Sequence, residues 1–198
     1  MKLFFTADQH FGHKNIIEYC ARPFITVEEM NSTLVSAWNK VVTNEDTVYC
    51  LGDLFFKANR GLITYVMSKL NGNIVLIKGN HDGELLKWIN RTNFDIQKHD
   101  YLEIKLDGKL AVLSHYPFLT WNQKEKGSIQ LHGHCHEKIV SEHPHQINVG
   151  VDSTDNLFLI EDKDYIPWAP FSEDQIIRII KRRELNAIIK SSAERVVP

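Results

Sequence analysis

Cysteine is scarce in this chain. It has three residues, Cys20, Cys50 and Cys135, at no paired spacing. An odd, low count does not make a disulfide framework and fits reduced thiols in the cytoplasm. Long apolar runs are missing too. No stretch approaches the ~20 apolar residues of a membrane span. The opening run, Leu3-Phe4-Phe5, is too short for the hydrophobic region of a signal peptide, and the charge at Asp8 comes soon after it. A cytoplasmic protein with no membrane partner is expected. An excess of either charge is also lacking, with 23 Lys and Arg against 25 Asp and Glu, a formal net charge of -2. Sequence-independent nucleic-acid binding usually needs a basic domain or stripe, so nucleic acid is permitted as a partner but not favoured. There is no internal repeat and no low-complexity linker. No Gly-x-Ser-x-Gly elbow surrounds Ser114, which removes a serine-nucleophile reading.

What is present is ordinary in bulk and ordered in detail. The 198 residues are 43% hydrophobic and 24% charged, enough apolar material for one folded domain spanning 1–198. Leu3 to Thr6 reads as a buried first strand. Thr26 and Glu29 form a capping box ahead of Met30, Leu34, Trp38 and Val41, which recur at helical spacing. Thr47 to Leu51 is a second strand, Leu62, Val66 and Leu70 a second helix, and Ile74 to Ile77 a third strand. A short helix from Glu84 to Ile89 comes next. Strand and helix alternate here as in βαβ units with a mostly parallel core. Later, Asp107-Gly108 between two apolar runs signals a hairpin. Ile129 to Leu131 and Gln146 to Val149 read as further strands. Ser172 and Gln175 cap a C-terminal helix over about 172–190, marked by Ile176, Ile180 and Ile188, with Lys181, Arg182 and Arg183 on a solvated outer face. The expected fold is α/β with antiparallel additions.

The informative residues stand directly after the strands. The first strand runs into Asp8-Gln9-His10, the second into Gly52-Asp53, and the third into Gly79-Asn80-His81-Asp82. Leu110 to Ser114 runs into His115, and Ile129 to Leu131 into His132-Gly133-His134-Cys135-His136. In open α/β sheets, sites form outside the carboxyl ends of strands, so five such clusters should meet. Asp8 and His10 are two apart, as are His134 and His136. In extended chain each pair would point one way, with Gln9 and Cys135 turned away. Glycines 52, 79 and 133 allow tight turns and close backbone approach. Carboxylate, amide oxygen and imidazole suit borderline to hard divalent metals such as manganese, iron or zinc, and a closed structural zinc site would more often use cysteine. Water shared by two such metals becomes a competent nucleophile near neutral pH.

These five clusters, in this order, resemble the calcineurin-like metallophosphoesterase superfamily. The resemblance runs from Asp8-x-His10 to Gly133-His134-x-His136 and, counted from the first strand to Val149, covers about three quarters of the chain. Any single piece is a weak match, whereas all five in order are specific. The resemblance implies two packed mixed β-sheets flanked by helices. It implies two divalent metal ions, with manganese preferred over zinc, iron or nickel. Asp8, His10 and His136 would bind the first metal. Asn80, His115 and His134 would bind the second, with Asp53 bridging both. His81 would protonate the leaving oxygen or stabilise the transition state, and Asp82 would orient His81. Two divalent cations less the charges of Asp8 and Asp53 leave the site positive by two, which favours an anionic substrate. The metals would stand ~3.5–4 Å apart and clamp the oxygens of an in-line displacement.

The expected reaction is hydrolysis of a small phosphorylated substrate, phosphodiesters ahead of monoesters. A nuclease acting on DNA or RNA ends is the alternative within the enzymes, and a non-catalytic scaffold of the same fold the alternative outside them. Scaffolds lose ligands or the catalytic histidine, and none is missing here. Several residues keep two readings. Asp82 could orient His81 or cap the helix after it. His13, in a Gly-His-x-Asn-Ile stretch that some relatives share, could protonate the leaving group, contact phosphate or serve the loop. Arg22 could bind a phosphate oxyanion or stand solvated. His99, His143 and His145 read as exposed loop histidines.

Overall fold

In the computed structural model, residues 1–194 are described apart from 93, 95, 139, 140 and 142, with no account of side chains from 190 onward. In chain order the elements are β1 Leu3–Thr6, α1 Ile16–Tyr19, α2 Val27–Val41, β2 Thr47–Cys50, α3 Arg60–Met67, β3 Asn73–Ile77, α4 Gly83–Ile89, β4 Gln97–His99, β5 Leu102–Leu106, β6 Lys109–Leu113, β7 Ile129–His132, β8 Gln146–Asn148, β9 Phe171–Ser172 and α5 Glu173–Glu194.

The strands form two sheets. One has the order β4-β3-β2-β1-β9 and the other β5-β6-β7-β8. In the first, β1 to β4 are parallel and β9 is antiparallel to β1. In the second, the β5–β6 hairpin is antiparallel, while β6, β7 and β8 are parallel. Its turn has positive φ at both Asp107 (47°) and Gly108 (74°), the type I′ geometry that matches strand twist. The antiparallel additions expected from the sequence are this hairpin and β9.

Alternation along the strands explains the layers. Phe4, Val48, Cys50 and Leu76 face a core shared with Met30, Leu34 and Trp38 of α2, Ile63 and Val66 of α3, and Leu85 and Trp88 of α4. Phe5, Val75 and Ile77 point the other way, into a second core. There they meet Leu106, Ala111, Leu113, Ile129, Leu131 and Ile147 of the second sheet, and Ile176, Ile179 and Ile180 of α5. The result is two packed mixed sheets flanked by helices, as the resemblance implies.

Local chemistry sets the helix ends. The Thr26 hydroxyl accepts from Glu29 N at 3.1 Å, while the Glu29 carboxylate reaches one residue further back than in a standard capping box, to Ile25 N at 2.8 Å. Ser172 and Gln175 close a full reciprocal box, at 2.9 and 3.3 Å. The basic face expected on α5 is corrected in part. Arg183 falls one turn after Ile179 and Ile180 on the inward face, is buried, donates to Gln146 O at 2.7 Å and pairs with the buried Asp155. Arg182 pairs with Asp162. Ile188, expected inside, is 62% exposed. The histidines expected in the open at 99, 143 and 145 are half-buried.

The Asp155 carboxylate also accepts from Asn148 N at 2.8 Å, so the pair ties α5 to β8. Removing one partner of a buried ion pair strands the other charge. Arg183→Ala should lower the unfolding free energy by about 3–5 kcal/mol in urea titration. Adding Asp155→Asn should restore a large part of it. A loss below about 1 kcal/mol in the single variant would show the pair to be solvated.

Candidate metal centre

Strand register brings the loops together. Thr6 pairs with Cys50, and Cys50 with Leu76, so the chain leaves β1, β2 and β3 at one level. Backbone bonds then zip the first two loops, with Asp8 N donating to Gly52 O and His10 N to Asp53 O, both at 3.0 Å. The sheets meet at the same edge. Ala7 N donates to Val149 O at 3.1 Å, and Val151 N to Ala7 O at 3.0 Å. Beyond this seam, His134 N donates to Asp8 Oδ2 at 2.8 Å, which fastens the fifth motif to the first.

The expected ligands fall into two groups. Asp8, His10 and His136 each offer an atom within 4.8 Å of the other two, and so do Asp53, His115 and His134. Asp53 Oδ2 lies between the groups, 3.7 Å from His10 Nε2 and 3.5 Å from His115 Nε2. The Asn80 side-chain oxygen stands 3.0 Å from His115 Nε2. One expectation about how this happens is overturned. The pairs Asp8/His10 and His134/His136 are not extended chain. Their φ angles are 61°, 54°, 71° and 49°, and Asp53 has 55°. All five are left-handed, so convergence comes from tight turning loops rather than strand alternation. Asp and His tolerate that region better than most residues.

Close approach limits what can sit beside the carboxylates. A Cβ at Gly133 would lie 2.5 Å from Ala7 Cβ and 2.7 Å from Asp8 Oδ2, and one at Gly79 would run into Asp53 Oδ1.

The polar atoms facing this space fit a cation. Asp8 Oδ1 and both ring nitrogens of His10 are buried with no hydrogen-bond partner. His115 Nδ1 lies 2.7 Å from Leu51 O, a pure acceptor, so Nδ1 carries a proton. In the neutral ring its Nε2 would present a lone pair to Asn80 Oδ1 and Asp53 Oδ2. Three acceptors so arranged repel one another unless a proton or a cation lies among them. Burial pushes the Asp8 carboxyl up to about 7, against the lowering effect of His136 and His115. Burial also drives His10 down to about 3, so it stays neutral. For His115, burial opposes protonation, but the Asp53 and Asp8 carboxylates prevail and raise its pKa. For His136 burial is outweighed in the same way by Asp152 and Asp8. Asp53 is held below the usual carboxylate range, where burial is overcome by His115, the His81 amide and His10.

A cavity of about 490 Å³ opens beside these groups, lined among others by His13, Tyr19, Phe56, Lys57, Asn80 and His81. His81 is exposed, donates its backbone N–H to Asp53 Oδ1 at 2.8 Å and brings Nε2 to 4.0 Å from Asp53 Oδ2. His13 stacks on Phe56 with ring centroids 3.7 Å apart, and its Nδ1 is buried without a partner. Burial lowers the His13 pKa to about 4, with His81 and Arg22 adding to the effect.

Two expected roles are corrected. The Asp82 carboxylate neither contacts His81 nor caps its own helix. It accepts from Asp53 N at 2.9 Å, Leu54 N at 3.1 Å and Gly79 N at 2.8 Å, because it is fully buried between the second and third loops. Arg22 is neither solvated nor free for phosphate. It is buried, and its guanidinium is spent on Asp152, Asp8 O and Gln9 O. Asp152 is the residue that sequence reasoning misses. It accepts from His136 Nδ1 at 2.8 Å and, with Cys20 and His136, makes a third metal-sized group. It comes after β8 as the other candidates come after their strands, so the same rule carried past Val149 finds it. Phe56 and Tyr116 also escape the sequence, and no motif marks them. The Tyr116 ring lies 4.5 Å from that of His134. Cys135 is in none of the metal-sized groups among the described residues.

Fold and strand-end residues together define a two-sheet α/β sandwich with Asp, His and Asn side chains gathered at the carboxyl ends of its strands. No family model matches the chain. The uncharacterized protein MJ1445 of Methanocaldococcus jannaschii is 35% identical over 190 residues, covering 91% of this chain and 92% of its own. The gene 66 protein of Mycobacterium phage L5 is 32% identical over 178 residues, covering 75% of this chain and 86% of its own. Among solved structures, the protein of unknown function AQ665 from Aquifex aeolicus is 26% identical with a TM-score of 0.63, covering 90% of this chain and 98% of that one. The chain belongs to the family of MJ1445 and the phage gene 66 protein. Among the described residues no helix is long and apolar enough to cross a membrane.

A divalent cation bound in this geometry must displace the proton that Asp8 holds near pH 7 and those favoured on His115 and His136. Affinity should therefore fall by at least about tenfold from pH 8 to pH 6, read by calorimetric titration with manganese. Gly79→Ala should displace the Asp53 loop, backbone and carboxylate together, and weaken metal binding in protein that still folds by circular dichroism. Wild-type affinity in that variant would refute the close-approach argument.

Proposed function

We propose that this protein is a metal-dependent phosphoesterase that uses two divalent cations and prefers small phosphodiesters. The observation that carries the reading is the convergence of Asp8, His10 and His136 with Asp53, His115 and His134 on either side of one carboxylate oxygen, with buried acceptors left unpaired. Bound there, the cations, with manganese preferred, would polarise phosphoryl oxygens and activate a water. Asp8, His10 and His136 would hold one cation, and Asn80, His115 and His134 the other, with Asp53 between.

The chain's own residues supply the rest. His81 lines the cavity with its ring edge-on to Phe56, centroids 4.8 Å apart, while its backbone is fixed on Asp53. It is the proposed proton donor. His13, pressed against Phe56 and neutral near pH 7, would contact a phosphoryl oxygen rather than protonate the leaving group. Asp82 acts one step removed, by locking the loops that carry Asp53 and Asn80. Lys57 and Lys138 at the cavity wall suit an anionic ester. The near-neutral net charge favours small esters over polynucleotides, and a cytoplasmic setting suits the free thiols.

With manganese, zinc or nickel added, turnover of bis(p-nitrophenyl) phosphate should exceed that of p-nitrophenyl phosphate. Asp53→Asn should lower kcat/KM by at least about a hundredfold, since even a residue supporting a ligand costs 10–100-fold when lost. His81→Ala should lower kcat by about 10²–10⁴ with metal content unchanged. Absence of turnover with every activated ester, in protein that binds metal, would sink the reading in favour of a scaffold. A steep loss of substrate affinity with rising salt would point to a nuclease instead.

A further inference from the structure

The proposal here rests on the metal-centre reading above and concerns what builds one half of it. The pocket of Asp8, His10 and His136 is assembled from the first and fifth motifs, which lie far apart in the chain. Arg22 belongs to neither, yet it is 3% exposed and fully engaged between them. Its Nη1 donates to Gln9 O and its Nη2 to Asp8 O, both at 2.8 Å. Its Nε and Nη2 clamp Asp152 in the bidentate manner, to Oδ1 at 2.9 Å and Oδ2 at 2.7 Å. Asp152 Oδ2 in turn accepts a hydrogen bond from His136 Nδ1 at 2.8 Å.

The competing role for Asp152 is that of a metal ligand with Cys20 and His136. The guanidinium argues against it. Both carboxylate oxygens already face a fixed positive charge, which would repel a cation placed beside them. What remains open on His136 is its other nitrogen.

We propose that Arg22 and Asp152 are positioning residues for the first cation. Asp152 holds the His136 ring as the Nδ1–H tautomer, which leaves the Nε2 lone pair for the pocket shared with Asp8 and His10. Arg22 fixes Asp152 against the backbone of Asp8 and Gln9, so one side chain sets the spacing of ligands from both motifs. An imidazole ligand whose second nitrogen is held by a carboxylate is oriented and made more basic, and loss of such a partner typically costs 10–100-fold in metal affinity. Arg is needed for this rather than Lys, because the planar fork serves two backbone oxygens and a carboxylate together.

The test uses metal-free protein, titrated with manganese by calorimetry and studied by nitrogen-15 NMR of the imidazoles, with His136→Gln to assign the ring. Wild type should bind two ions and show His136 protonated at Nδ1. Asp152→Ala should weaken one ion about 10–100-fold, spare the other and mix the His136 tautomers. Asp152→Asn, which can still accept from Nδ1, should retain the tautomer and lose less affinity. Arg22→Lys should weaken the same ion. Equal weakening of both ions with an unchanged tautomer would mean a general packing role and would overturn the proposal, as would unaltered binding in Asp152→Ala. Wild-type protein that binds no ion would overturn the metal reading itself, and this proposal with it.

Discussion

The structure depends on a seam. At the carboxyl edge of both sheets, the backbone of Ala7 bonds to Val149 and Val151, so β1 of the first sheet and the end of β8 in the second become continuous for one residue. Everything polar in the centre is arranged about that point. Asp8, the next residue, has nowhere to go but between the sheets, with Gly133 packed against its carboxylate. A sandwich whose sheets merely faced each other across a greasy layer would leave the two sets of loops free to part. Here the hydrophobic layer of Phe5, Leu131 and Ile147 sets the spacing, and the Ala7 hydrogen bonds set the register.

The cost of that placement is electrostatic. A carboxylate with no exposed surface, neutral imidazoles with unpaired nitrogens and three acceptors facing one another form an arrangement that proteins avoid unless something compensates it. The compensation available inside the chain goes elsewhere. Arg22 spends its charge on Asp152, and the amides of Asp53, Leu54 and Gly79 are spent on Asp82. The centre is thus short of positive charge, while the residues around it are satisfied. That contrast separates a ligand set from an incidental polar cluster.

Much of this is legible in the sequence, and the failures have physical causes. Strand ends carrying Asp, Asn and His can be read because strands are short apolar runs and the rule that sites form at their carboxyl ends is topological. The ligand groupings come from resemblance rather than spacing. Indeed the spacing argument reaches the right neighbours by the wrong backbone, since periodicity says nothing about left-handed turns. Arg22 and Asp152 are 130 positions apart, and a pair that far apart leaves no periodic trace. Arg183 misleads for the opposite reason. A run of three basic residues looks solvated, yet helical geometry turns the third inward behind Ile179 and Ile180. The short β9 is hidden by the capping box that begins in it, and β4 by its polar composition.

The left-handed ligands have one more implication. Asp8, His10, Asp53, His134 and His136 occupy a backbone region that an unfolded chain visits seldom, at a cost of about 1–2 kcal/mol for each residue. A loop ordered only by a captured ion would have to find all five conformations at once. Here interstrand hydrogen bonds and the fixed partners of Asp82 and Arg22 already impose them. In the proposed metal-bound protein the cage would be shaped by the polypeptide's own hydrogen bonds. Closing the sandwich and loading a rigid receptacle would then be separable events, and the second could wait on the supply of ions without holding up the first.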